Sequence, residues 1–119
     1  MTLTRGIPVS VHGAIEAFAA PAIMVAPFVF GFGQLATVAA VAIGALLLAI
    51  AFQAETPRRT LPLSALAGFE YMLAMAAIAV GIGIGLAGYA VSESVFLVGV
   101  GAAQVALTAA TRFSAPRSA

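Results

Sequence analysis

The chain has no cysteine, which excludes a disulfide framework, a thiolate nucleophile and a cysteine-ligated metal or iron–sulfur centre. It has 1 histidine, so a multi-histidine metal site within one chain is excluded too. Lysine is absent, and all 5 basic residues are arginines. Charged residues make up only 8% of the 119, too few to cover the surface of a water-soluble domain of this size. No Ser/His/Asp order and no pair of acids at an aqueous cleft is visible. The chain therefore reads as non-enzymatic, with no cofactor, metal or nucleic-acid partner implied.

What is present is hydrophobicity. Apolar residues are 63% of the chain and the mean hydropathy is +1.15, so the solvent for most of it is lipid. A bilayer core about 30 Å thick asks for about 20 apolar residues per helical span, which leaves room for four spans in a single domain. Apolar segments run over about 9–32, 35–52, 63–86 and 95–111. They are continuous and do not alternate, which favours helices over strands, and lipid requires backbone groups to be satisfied within the helix. Gly31-Phe32-Gly33-Gln34 reads as a tight turn, 53–62 as a polar loop and 88–94 as a short link. Pro8 and Pro62 stand at helix starts, Pro57 and Pro116 just past helix ends, and Pro21 and Pro27 inside the first span, where they should kink it. A cleaved signal peptide is argued against by His12 and Glu16, which fall in what would be its apolar core.

The arginines stand at 5, 58, 59, 112 and 117. With four spans, all of them lie on one side of the bilayer. The positive-inside rule then puts both termini and the 53–62 loop in the cytoplasm.

One phrase occurs twice. RGIPVSVHGAIE (5–16) returns as RTLPLSALAGFE (59–70), so that Arg5, Pro8, Ser10 and Glu16 match Arg59, Pro62, Ser64 and Glu70. Gly31 meets Gly85 in the same register, and with one residue inserted Gly44 meets Gly99. The expected fold is all-α: a four-helix transmembrane bundle of two parallel-repeat hairpins, about 5–56 and about 59–114. Parallel repeats are related by an axis along the membrane normal.

The stretch Ala26-Pro27-Phe28-Val29-Phe30-Gly31-Phe32 at the end of the first hairpin's first helix resembles the Ser-Pro-Trp box and following Leu-Gly-Phe turn of the SPW-repeat family of small bacterial integral membrane proteins. Ala26 stands for Ser and Phe28 for Trp, and the second half has no such box. The resemblance implies a duplicated two-helix hairpin in the plasma (inner) membrane of a bacterium and carries no activity with it.

Polar groups inside lipid need a reason. Glu16 and Glu70 each lie eight residues past a helix-start proline, about 12 Å inward at 1.5 Å per residue. Gln104 lies eight residues before Arg112, at similar depth from the same side. His12 precedes Glu16 by one helical turn and shares its face. Small residues surround them: Gly13, Ala17 and Ala20 on the first span, Ala74, Ala77, Gly81, Gly85 and Gly88 on the third, and Ala36, Ala40 and Gly44 on the second. On the fourth, Gly101, Gln104, Thr108 and Thr111 share one face. His12, Glu16, Glu70 and Gln104 are thus expected to form an intramembrane polar cluster. Gly44, Gly81, Gly85 and Gly99 are the expected helix-packing positions. One carboxyl of the pair is expected to hold a proton and bond to its partner, to Gln104, Ser10 or Ser64, with His12 as its contact with water.

Two functions follow. The first is a structural or interaction module that packs with itself or with a larger membrane complex. The second is a small proton- or cation-coupled transporter using Glu16 and Glu70, resembling in outline the small multidrug resistance transporters. A water path to the carboxylates would favour transport. A dry, closed cluster would favour the module.

Overall fold

The computed structural model describes residues 6–55 and 62–112. Four helices account for nearly all of them: α1 (Val9–Phe30), α2 (Gln34–Glu55), α3 (Leu63–Leu86) and α4 (Val91–Ala109). Each is long and apolar enough to cross a membrane. Arg5, Arg58, Arg59, Arg117, Pro57 and Pro116 lie outside the described residues, which leaves Arg112 as the one described arginine of the five on which the orientation rests.

Local chemistry sets the ends. Pro8 and Pro62 occupy the same extended conformation, φ −65° and −66°, just before α1 and α3. A missing N–H costs nothing there, and the fixed ring dihedral feeds the helix. The α1 helix stops at Gly31, which takes the left-handed φ of 69° that a side chain resists. Its N–H and that of Phe32 both return to the Pro27 carbonyl. The α3 helix stops just before Gly88, which turns with φ 90°.

Two boundaries differ from the sequence reading. The α4 helix begins at Val91, not near residue 95, so Ser92-Glu93-Ser94 is its first turn and not a link. Two of these polar residues find partners that suit them to a helix. The Glu93 carboxylate accepts the Gly33 N–H at 2.7 Å, and the Ser94 hydroxyl donates to the Gly81 carbonyl at 2.7 Å. The α2 helix also runs on through Gln53 to Glu55.

Glu93 thereby satisfies one of the orphan donors at the start of α2 and ties the first turn to the second hairpin. Glu93→Ala is expected to cost about 0.5–2 kcal/mol, the range for losing a helix N-terminal acceptor. Glu93→Gln, which keeps an acceptor, should cost less. Unfolding midpoints in detergent would measure both.

The α1 helix packs along α2 and α3 along α4, while α2 meets α3 more sparsely. Glycines allow the close approaches. A Cβ at Gly44 would stand 3.0 Å from the Ala20 carbonyl oxygen, and one at Gly81 would stand 2.9 Å from the Val98 nitrogen. At Gly85 it would meet the Ser94 hydroxyl at 2.9 Å. Gly99 is a correction: among the described residues nothing lies within 4 Å of a Cβ there, and the position is exposed. The packing glycine of α4 is Gly101, whose added Cβ would sit 2.6 Å from the Ala74 carbonyl oxygen. The reading failed because it matched Gly99 to Gly44 with a single inserted residue. In the structure α3 and its link are together three residues longer than α1 and its turn, so Gln34 and Val91, the helix starts, are 57 positions apart.

A short parallel pairing was not legible in the sequence. β1 (Ile7–Pro8) lies beside β2 (Thr111–Arg112), with Ile7 opposite Thr111, and the Ile7 N–H bonds to the Ala110 carbonyl at 3.0 Å. It joins the start of α1 to the end of α4.

The interior is small and partly polar; the exterior is large and apolar. Ala20, Ala36, Ala40, Ala51, Ala74 and Ala77 are buried, whereas Phe18 and Leu86 are 80% and 85% exposed. A water-soluble domain buries its large apolar side chains instead. Four apolar helices with this distribution are compatible with an integral membrane protein.

Candidate functional site

The polar residues meet at the end of the bundle where α1 and α3 begin and α4 finishes. On α1, His12 and Glu16 lie one turn apart on the same buried face. Glu70 reaches in from α3, and Gln104 and Thr108 from α4, with Thr111 just beyond its end. All six are between 0 and 7% exposed.

Gln104 is the bridge between helices. Its amide nitrogen donates to Glu16 Oε2 on α1 and to Glu70 Oε1 on α3, and it lies 3.4 Å from Thr108 Oγ1. His12 is the second bridge. Its Nε2 is 2.7 Å from Glu70 Oε2 and 3.2 Å from Glu16 Oε2.

The other ring nitrogen fixes the tautomer. His12 Nδ1 lies 2.8 Å from Thr111 Oγ1, and Thr111 Oγ1 donates its only proton to the Leu107 carbonyl at 2.6 Å. The hydroxyl must therefore accept from His12, so Nδ1 carries a hydrogen. Nε2 is left to face the carboxyls. Its contact with Glu70 holds one proton, on nitrogen or on oxygen. The β1–β2 pairing keeps Thr111 beside the first turn of α1.

One atom is left over. Glu16 Oε1 is buried and has no hydrogen-bond partner among the described residues. An unsatisfied buried acceptor costs about 1–3 kcal/mol. His12, Glu16 and Glu70 each offer a ligand atom, and these lie within 4.8 Å of one another. Chemically the arrangement can clasp helices by hydrogen bonds, hold a proton, or hold a cation.

All four residues expected in the cluster come together here. Ser10 and Ser64 do not join it; both are exposed. His12 does not face water, because Thr111 and the two carboxyls enclose it. The part played by Thr111 went unread: its place on the Gly101–Gln104–Thr108 face was visible, but its reach to His12 depends on how α4 ends. An apolar notch of about 410 Å³ lies between α2 and α3, lined by residues such as Leu46, Ile50, Phe69 and Met72, and contains no member of the cluster.

Compared with protein-family models, curated proteins and solved structures, the chain matches none.

Proposed function

We propose that this chain is a small non-enzymatic membrane module of the bacterial plasma membrane, built of two like hairpins, that packs with itself or with a larger membrane complex. The observation that carries the reading is the closed cluster: six polar side chains, each at most 7% exposed, bonded across α1, α3 and α4. Groups that conduct a proton or ion must be reached by water, and these are shut away. They act as a clasp between hairpins. The likeness to SPW-repeat proteins, carried by Ala26–Phe32, belongs to the same proposal.

Equivalent contacts support the two like hairpins. Gly44 rests on Ala20 and Met24, and Gly101 on Ala74 and Ile78. The two partners in α3 lie 54 positions after those in α1, the offset of the repeated phrase.

The clasp is tested with Glu16→Gln/Glu70→Gln, which keeps hydrogen-bonding groups and removes the ionisable ones. The double variant is expected to insert and to unfold in detergent at the parent midpoint, once both are stripped of metal. Parent protein in liposomes with a pH dye inside should pass no more protons under an imposed potential than empty vesicles. A parent flux that the double variant loses would replace the module with a transporter. Capture from native membranes with a crosslinker should return a second copy or a membrane partner, and a chain recovered only as monomer would overturn the interaction half.

Both termini are placed in the cytoplasm on the one-sided arginines. The native chain has no cysteine, so labelling has no background. In intact cells an impermeant thiol reagent is expected to reach Ser92→Cys, which is an exposed position, and to miss Thr56→Cys until the membrane is opened. The opposite pattern would invert the topology.

A further inference from the structure

We infer that His12, Glu16 and Glu70 form a binding site for a divalent first-row metal ion of the zinc type, which would cross-link the two hairpins. The inference rests on the closed cluster of the module reading and adds an occupant to it.

Three independent features point to a metal ion. The first is the donor set and its spacing. Zinc takes imidazole nitrogen and carboxylate oxygen at about 2.0–2.2 Å, so tetrahedral neighbours stand about 3.3 Å apart. His12 Nε2 is 3.2 Å from Glu16 Oε2 and 2.7 Å from Glu70 Oε2. Both nitrogen–oxygen distances need to open only slightly, the ligand atoms all lie within 4.8 Å of one another, and the three residues come from two helices already packed into one bundle.

The second is the presentation of the histidine. A metal-bound imidazole keeps a hydrogen on its far nitrogen and gives it to an oxygen that orients the ring. The Nδ1–H of His12 goes to Thr111 Oγ1, whose own hydrogen goes to the Leu107 carbonyl. Nε2 can thus turn a lone pair toward both carboxyls without any change of tautomer.

The third is the unused acceptor. Glu16 is 1% exposed, and its Oε1 has no hydrogen-bond partner among the described residues. Bidentate coordination would give that atom a partner and fill a fourth position.

Charge selects the class of ion. Two carboxylates and a neutral imidazole carry two negative charges, and a divalent ion brings the site to neutrality. Neutrality weighs most where the dielectric is low. A monovalent ion would leave one charge buried. Magnesium is disfavoured because it asks for near-octahedral oxygen ligation and keeps its waters, whereas imidazole suits zinc.

The test uses tag-free full-length protein in nanodiscs, stripped with chelator and then offered Zn²⁺, Mn²⁺ or Mg²⁺ alone. Wild type is expected to retain one zinc per chain after free metal is removed, and its unfolding midpoint should climb with zinc concentration. Manganese should bind more weakly and magnesium not at all. Glu16→Gln and Glu70→Gln should each weaken zinc binding about 100-fold or more, since losing a ligand exceeds the 10–100-fold typical of an outer partner. Thr111→Val, which frees the ring but keeps every ligand, should weaken it about tenfold. Because the chain has 1 histidine, zinc-edge X-ray absorption of the loaded wild type reads the site without any variant: one imidazole ring in the ligand shell identifies His12. Wild type that retains no zinc, an all-oxygen shell, or unweakened binding by Glu16→Gln and Glu70→Gln would each overturn the inference. The two readings fail separately. Absent zinc binding leaves the hydrogen-bonded module standing, while proton flux through wild type removes the module and leaves the metal site standing.

Discussion

Gln104→Leu is expected to destabilise the bundle by about 3 kcal/mol or more, the scale seen when one partner of a buried charged or polar pair is removed. The leucine fits the volume, so the loss is not one of packing. It is a loss of donors. A single amide nitrogen serves Glu16 on α1 and Glu70 on α3, and without it the two buried carboxyl groups keep only His12 Nε2 between them. An ordinary interhelical hydrogen bond in a membrane averages about 0.6 kcal/mol, because the separated helices also find partners. The larger figure applies here because Glu70 Oε1 loses its amide donor in a buried site and His12 alone is left to serve both carboxyl groups. Thr108→Val is the internal control: the same helix face, a long 3.4 Å contact to Gln104, and an expected cost no greater than about 0.6 kcal/mol. Adding Glu70→Gln to Gln104→Leu should recover part of the loss, since the amide introduced at position 70 can donate to Glu16. Unfolding in detergent at fixed lipid content measures all three. If Gln104→Leu and Thr108→Val behave alike, the bridge carries no stability.

The sequence made the cluster legible because lipid simplifies the reading. In a soluble chain a glutamate in a helix is unremarkable. In a span it must be paired, and its depth can be counted from the nearest proline. Glu16 and Glu70 could be set at one level in that way, and Gln104 could be counted in from the other end of its helix. Helix existence and the start of α3 at Leu63 followed from the apolar runs and from Pro62. The features that were missed depend on partners in space. Ser92-Glu93-Ser94 looks like a loop when read alone, and it becomes a helical turn because Gly33 and Gly81 supply a donor and an acceptor. Thr111 looks like one more small polar residue until the β1–β2 pairing sets it against His12. The register of α4 failed for a related reason. A repeat is easiest to align where it is best conserved in wording, at 5–16 and 59–70, and the three extra residues fall after that, at the end of α3 and in its link.

That register error has a measurable counterpart, because Gly99 and Gly101 sit two residues apart on one helix in opposite surroundings. At Gly101 a Cβ would lie 2.6 Å from the Ala74 carbonyl oxygen, 3.0 Å from the Ile78 nitrogen and 2.5 Å from Ile78 Cγ1. The Ile78 side chain can swing aside. The carbonyl and the amide cannot, since they belong to the backbone of α3, so the helices must separate. Separation is costly in lipid, where helix association depends on close van der Waals contact and not on hydrophobic burial. Overpacking typically costs about 1–3 kcal/mol, and the intrinsic helix gain of alanine over glycine returns at most about 1 kcal/mol. Gly101→Ala is therefore expected to be destabilising, and Gly101→Leu more so. Gly99→Ala meets nothing within 4 Å, keeps the helix gain and should be neutral or slightly stabilising. The sign of the effect thus reverses over two positions. The same logic extends to Gly81, where a Cβ would approach the Val98 nitrogen to 2.9 Å and the Ser94 oxygen to 3.0 Å. Midpoints of thermal unfolding for the three variants decide the matter: equal values for Gly99→Ala and Gly101→Ala would mean that α4 presents a different face to α3.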